Sequence, residues 1–142
     1  MRFWDSSALV ALIVDEPDSA TARTALAEDR DVAVWWGSRL ECASAVRRRE
    51  RAGALDRAGV EQSVALLDQL AASWFEILPG DALRAEAERA LAVHPLRAAD
   101  ALQLAAALTW RGPASALAEL VCFDERLRDV AAREGFGVLP AK

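Results

Sequence analysis

The hydrophobic pattern of the chain switches between short apolar runs and longer stretches in which apolar residues recur every third or fourth position. The first run, Phe3-Trp4, breaks at Asp5-Ser6-Ser7 and resumes as Ala8-Leu9-Val10-Ala11-Leu12-Ile13-Val14. This predicts a short strand, a turn at Asp5 and an immediate helix, with Ser6 or Ser7 placed to cap it by accepting a backbone N–H. Asp15-Glu16-Pro17-Asp18 then punctuates the chain, and Pro17 suits the first turn of a second helix reaching about Glu28. Asp31 to Trp35 is the second strand. Gly37-Ser38 breaks it, and a helix follows to Ala52 with Gly53 just past its end. An amphipathic helix spans about Asp56 to Ala72, with Val64, Leu67, Leu70 and Ala71 on its apolar face. Trp74 to Leu78 is the third strand, stopped by Pro79-Gly80. Asp81 is placed to cap a helix with Leu83, Ala87, Ala90 and Leu91 on one stripe, ending before His94-Pro95. An alanine-rich helix from about Arg97 to Trp110 presents Ala101, Leu104, Ala105 and Leu108, and Arg111-Gly112-Pro113 ends it. Glu119 to Phe123 is the fourth strand, Glu125 to Glu134 a helix, and Phe136 to Leu139 a last edge strand.

Strands alternating with helices predict an α/β fold in three layers, α/β/α, around a central parallel sheet of four to five short strands. The 142 residues fit a single domain over 1–142, which can bury roughly two-thirds of its unfolded surface. A hydrophobic content of 54% with this periodicity excludes disorder. No apolar run approaches the ~20 residues of a membrane span. The run from Ala8 to Val14 follows an aspartate, unlike a signal peptide. The expected setting is cytoplasmic, with no membrane association.

Cys42 and Cys122 sit in apolar segments and read as buried, reduced small hydrophobes. His94, the single histidine, lies beside Pro95 and suits a surface or turn role, which leaves Ser-His-Asp, Cys-His and zinc chemistry without support. The formal charge of −5 argues against a nucleic-acid partner only if it is spread evenly. Lys142 is the only lysine among the 17 basic residues, so the positive surface is arginine, which suits forked phosphate contacts. Arg47-Arg48-Arg49 with Arg51 form the densest cluster.

Asp5, Glu41, Asp100 and Asp124 all stand at the ends of predicted elements. Each has a purely structural explanation. Asp5 can be a cap, Ser38-Arg39-Leu40-Glu41 fits the S-x-x-E capping box, Asp100 suits a helix start, and Asp124 can cap the helix from Glu125. Together these explanations weaken, because Asp100 interrupts an apolar run between Ala98 and Ala107, and Asp124 closes a strand of buried character. In a parallel sheet, strand C-termini and the following helix N-termini share one rim, where such acids can meet. Grouped carboxylates repel unless a hard cation lies among them, and magnesium or manganese prefers oxygen-only donors. The pattern predicts a divalent-metal site built from Asp5, Glu41, Asp100 and Asp124.

Three blocks carry a family resemblance: Asp5-Ser6-Ser7-Ala8-Leu9-Val10, Leu96-Arg97-Ala98-Ala99-Asp100-Ala101-Leu102-Gln103-Leu104-Ala105, and Cys122-Phe123-Asp124-Glu125-Arg126-Leu127. In order and spacing the chain resembles the PIN domain, and within it the VapC-type toxins of bacterial and archaeal toxin–antitoxin pairs. The resemblance implies a metal-dependent endoribonuclease using Mg²⁺ or Mn²⁺, with RNA as substrate, a cognate VapB-type antitoxin as partner, and a homodimeric state. Asp5, Glu41, Asp100 and Asp124 match the family's acidic residues, and Ser7 matches a hydroxyl that orients the first aspartate. Two positions depart from the pattern. The family often has histidine where Gln103 stands, and threonine or serine where Cys122 stands, a loss expected to loosen the hydrogen bonding around Asp124.

The implied chemistry is metal-assisted in-line hydrolysis of a phosphodiester, with Asp5 and Asp100 as principal ligands and Glu41 and Asp124 completing the shell. Arg47, Arg48 and Arg49 fit RNA phosphates, a solvated helix face or an antitoxin contact equally well. A catalytically inactive PIN-like interaction module is the alternative. A phospho-acceptor receiver domain would need a lysine late in the sheet, and an aspartyl phosphatase a second aspartate where Ser7 stands.

Overall fold

The computed structural model describes residues 1–113 and 117–142. Its strands are β1 (Arg2–Trp4), β2 (Val32–Trp35), β3 (Phe75–Ile77), β4 (Glu119–Val121) and β5 (Gly137–Leu139). Its helices are α1 (Ser6–Ile13), α2 (Ser19–Glu28), α3 (Ser38–Arg51), α4 (Arg57–Ala71), α5 (Asp81–Val93), α6 (Ala98–Arg111) and α7 (Glu125–Arg133). The strands form one sheet in the order β3-β2-β1-β4-β5, and every pairing is parallel. Successive strands step outward from β1 to β3, then the chain returns to place β4 on the other side of β1. The strand order therefore reverses between β1 and β4, where sheets of this kind open a crevice at their C-terminal rim.

Alternating side chains divide the interior into two layers, as the pleat requires. Phe3, Ala33, Trp35 and Leu120 pack against Leu83 and Ala90 of α5, Leu104 of α6, and Leu127 and Val130 of α7. Trp4, Val32, Val34 and Val121 pack against Leu9 of α1, Ala22 of α2, Val46 of α3 and Leu67 of α4. Phe3 and Trp4 are both fully buried, and each contributes about 1.5–3 kcal/mol by leaving water. The expected α/β/α layering is the one formed. No helix among the described residues is long and apolar enough to cross a membrane.

Several local expectations are corrected. Asp5, not Ser6 or Ser7, caps α1, because its carboxylate accepts the Ser7 N–H and both serines lie inside the helix. Pro17 sits in the turn before α2, which starts at Ser19. Gly80 is the cap residue of α5, and Asp81, one position later, pairs with Arg84 instead. Val64 and Leu91 are exposed; α4 buries Val60, Ser63 and Leu67, and α5 buries Leu83, Ala87 and Ala90. Gly53 does follow α3 as expected, at a φ of 75° that other residues rarely adopt. Buried Arg128 on α7 donates to the carbonyls of Cys122, Leu139 and Pro140, tying the exits of β4 and β5 together just before Asp124.

Candidate active site

The crevice at the β1–β4 switch is where the four predicted acids meet. Asp5, Glu41, Asp100 and Asp124 all line one cleft of about 670 Å³. Asp5 directly follows β1, and its backbone N–H continues the ladder by donating to the Val121 carbonyl. Its Oδ2 accepts the Ser7 N–H at 3.0 Å, the Ser7 hydroxyl at 2.5 Å and the Cys122 thiol at 3.5 Å. The Ser7 Oγ in turn accepts the Phe123 N–H at 2.9 Å, which locks the start of α1 to the exit of β4. Only 4% of Asp5 is exposed, so it forms the floor.

Glu41 lies one turn into α3 and is half-buried. The anticipated capping box is not formed. Gly37 occupies the cap position, and Ser38 is buried inside the helix, where its hydroxyl accepts the Gln103 Nε2–H at 3.0 Å. Glu41 instead accepts from the Ser6 hydroxyl at 2.7 Å and from Gln103 Nε2 at 3.2 Å, one donor on each carboxylate oxygen. Asp100 stands in the first turn of α6, three residues before Gln103 and so on the same helix face. Asp124 is exposed and caps α7 by accepting the Leu127 N–H at 2.9 Å.

Ser6 and Gln103 are the residues that sequence reasoning missed. A signal for Gln103 existed: it is the one polar residue between Ala101 and Leu108, one turn from Asp100. Cys122 also acts differently from expectation. Its thiol lies against the Asp5 carboxylate and the Asp124 backbone carbonyl, so the change from a hydroxyl bears on Asp5, not on the Asp124 side chain. Burial pushes the Cys42 thiol up to about 12 and the Cys122 thiol upward too, keeping both protonated as expected. His94 is not a surface residue: its ring is largely buried and bonds to Glu134 at 2.6 Å, outside the cleft.

The electrostatics of the cleft follow from burial that hydrogen bonds and neighbouring charges only partly offset. Burial pushes the Asp5 carboxyl up against the opposing bonds from Ser7 and Cys122. Burial likewise raises Glu41, with the charges of Asp5 and Asp100 adding to it, and raises Asp100, with the charge of Asp124 adding. None of the four carboxylates forms an ion pair with a basic group among the described residues. No group of three or more His, Cys, Asp or Glu side chains among the described residues is drawn tightly enough to cage an ion. Magnesium in general keeps several waters and takes one or two carboxylates plus substrate phosphate, so it does not require such a cage. The side chains gathered here are carboxylates, hard oxygen donors of the kind that hard divalent cations prefer.

Among curated proteins none matches the chain. Among solved structures, the crystal structure of PAE2754 from Pyrobaculum aerophilum superposes with a TM-score of 0.68 at 20% identity, covering 97% of this chain and 88% of that one. That likeness is one of fold. The sequence model of the PIN domain matches residues 2–133, a span running from the strand that delivers Asp5 through the helix that Asp124 caps. The chain therefore belongs to the PIN-domain family, a nuclease fold whose members are generally metal-dependent.

Proposed function

We propose that this PIN domain, acting as one domain over 1–142, is a Mg²⁺- or Mn²⁺-dependent endoribonuclease and the toxin of a VapBC-type toxin–antitoxin pair. The observation that carries the nuclease reading is a cleft at the switch point of a parallel sheet lined by four carboxylates, none of which forms an ion pair among the described residues. Asp5 and Asp100 are the principal ligands in this reading, with Glu41 and Asp124 completing the set. When bound, the ion supplies positive charge against the phosphodiester transition state and lowers the pKa of water. The protein supplies the frame. Ser7 and Cys122 hold Oδ2 of Asp5, and Ser6 with Gln103 holds both oxygens of Glu41, so neither carboxylate has to reorganise as the substrate arrives. Hydrolysis then joins a water oxygen to phosphorus in line with the departing ribose oxygen, which leaves with a proton.

The toxin assignment rests on the likeness of the blocks at Asp5, Leu96–Ala105 and Cys122–Leu127 to VapC-type sequences. With it come a neutralising VapB-type antitoxin, a homodimer and a cytoplasmic setting. Mapping of cleavage on total cellular RNA, with and without Mg²⁺ and with Asp5→Asn as the blank, tests the reading. Metal-dependent cuts absent from the blank support it. No cuts, together with no effect of Mg²⁺ on the melting temperature, would instead identify a non-catalytic interaction module.

A further inference from the structure

Among the described residues only two of the charged types are buried, Asp5 at 4% exposed and Arg128 at 7%. Asp5 forms the floor of the cleft, whereas Arg128 lies on α7 outside its lining. The guanidinium donates to the carbonyls of Cys122 at 2.5 Å, Leu139 at 3.1 Å and Pro140 at 2.6 Å, and it forms no ion pair among the described residues. Glu125, three residues earlier, pairs with Lys142 instead. Taking a guanidinium out of water is costly when no acid meets it. Joining the two strands does not require it. β4 and β5 are already laddered from Glu119 to Val121, and the Cys122 N–H extends the ladder to the Leu139 carbonyl.

The Cys122 carbonyl is one pole of a peptide group whose other pole is the Phe123 N–H. That N–H donates to the Ser7 hydroxyl at 2.9 Å, and the Ser7 hydroxyl donates to Oδ2 of Asp5 at 2.5 Å. From Arg128 to Asp5 the hydrogen bonds run unbroken, and every donor points towards the acid: guanidinium to carbonyl, amide to hydroxyl, hydroxyl to carboxylate. Bonds in such a chain polarise one another, most strongly where water is excluded. A cation at its head makes the Phe123 amide a stronger donor, and the Ser7 hydroxyl a stronger donor in turn. The chain also fixes position, because the peptide plane between Cys122 and Phe123 is held from both sides.

We propose that Arg128 is a positioning residue for Asp5, acting through the peptide group between Cys122 and Phe123 and through the Ser7 hydroxyl. The proposal rests on the metal-dependent nuclease reading and adds to it a residue that touches neither ion nor RNA. With Oδ2 committed to the chain, the carboxylate meets a metal already oriented and with its negative charge supported. Loss of Arg128 is therefore felt as weaker metal binding. Removing a buried positive charge does the opposite by itself, since it tightens the hold on a cation. The sign of the change separates the relay from bare charge.

The test is a double-mutant cycle read by isothermal titration of Mn²⁺ into the full chain without RNA. Arg128→Met keeps the apolar stem and should weaken Mn²⁺ binding about tenfold, as should Ser7→Ala. Either change cuts the same chain, so the double variant should bind within about twofold of the weaker single, where independent contributions would multiply to about a hundredfold. Arg111→Met removes a comparable tie, to the Glu134 carbonyl at 2.7 Å beyond the other end of α7, and should leave Mn²⁺ affinity unchanged. Unchanged or tighter Mn²⁺ binding in Arg128→Met, a multiplicative double variant, or an equal loss in Arg111→Met overturns the relay. Should Arg128→Met not fold, Arg128→Lys carries the same cycle, since an ammonium lacks the fork that spans the three carbonyls. On RNA, Arg128→Met should lower kcat about tenfold with KM within about twofold. A raised KM at unchanged kcat would count against the relay. Cleavage by the wild type with Mn²⁺ affinity insensitive to Arg128 sinks the relay alone. Mn²⁺ binding that follows the cycle in a protein that cuts no RNA sinks the nuclease reading alone, and a wild type that binds no Mn²⁺ sinks both.

Discussion

The carboxylates at the two ends of α7 sit in opposite electrostatic settings. At its C-terminal end, Glu134 accepts from His94 at 2.6 Å and Arg89 at 3.0 Å, while its backbone carbonyl takes Arg111 at 2.7 Å. Burial works to raise that carboxyl, but the bonds from His94 and Arg89 outweigh it and hold it below the ordinary range. At the N-terminal end, exposed Asp124 adjoins Asp5, Glu41 and Asp100, which are pushed up by burial, an effect that the charges of Arg126 and Arg97 near Asp100 only partly offset. The same polypeptide thus neutralises charge completely where it needs only to hold helices together. At the sheet crevice it leaves carboxyls raised above their ordinary range, the pattern on which the proposed cation site rests.

The largest effect that tests this contrast is catalytic. Asp5→Asn or Asp100→Asn should lower RNA cleavage by about 10³-fold, since metal charge stabilisation is worth several kcal/mol. The melting temperature should hold or rise, because asparagine still caps a helix and one repelling charge is gone. Full cleavage by either variant at matched metal would break the assignment. Next, Mg²⁺ at a hundredfold over its Kd should stabilise the wild type by about 2.7 kcal/mol, and Asp5→Asn by clearly less, as read by thermal unfolding. At the other end, Glu134→Gln should cost about 1–2 kcal/mol of stability by stripping charge-assisted bonds from His94 and Arg89, while kcat/KM stays within about twofold. Gln103→Leu comes lower, with cleavage down about tenfold from a less ordered Glu41.

The smallest effect is in pH, and its sign differs between the two ends. Carboxyls raised in the folded state bind protons more tightly than in the unfolded chain. The acidic cleft should therefore make metal-free protein less stable as pH rises from the ordinary carboxylate range, about pH 4, toward neutrality. Glu134, lowered by its partners, adds stability above that range and loses it as pH falls through its depressed value. Urea unfolding from acid to neutral pH should show the first slope flattened by Mg²⁺ and the second removed by Glu134→Gln. A metal-free slope unchanged in Asp5→Asn would disconnect the cleft from the pH dependence.

The architecture was legible in the sequence because strand and helix periods, with Gly53 and Gly112 as stops, need no tertiary information. The meeting of the four acids was legible because a parallel sheet gathers strand ends on one rim. The supports for those acids were not. Ser38 and Glu41 satisfy a local rule for a helix start, yet long-range bonds to Gln103 and Ser6 win over it. Gln103 is a good helix former in an alanine-rich helix, so nothing in its propensity reveals that its amide crosses to α3. The exposed positions of Val64 and Leu91 show the same limit, since helical periodicity defines a stripe but not its edges. Asp5 caps α1 through Oδ2, a role compatible with the ligand role proposed for it.

Strand β1 precedes the other four strands in the chain yet ends in the middle of the sheet, and this shapes how the site assembles. The hydrogen bond from Phe123 to Ser7 spans 116 residues of sequence, and that from Cys122 to Asp5 spans 117. Contacts of such separation form late, after the loop between them has closed. On the ribosome, where about 5–20 residues are added each second, Asp5 waits through the synthesis of α1 to α6 with one flank of its strand open. A cleft whose floor and rim come from such distant segments is therefore completed late in folding, after the elements between them are in place.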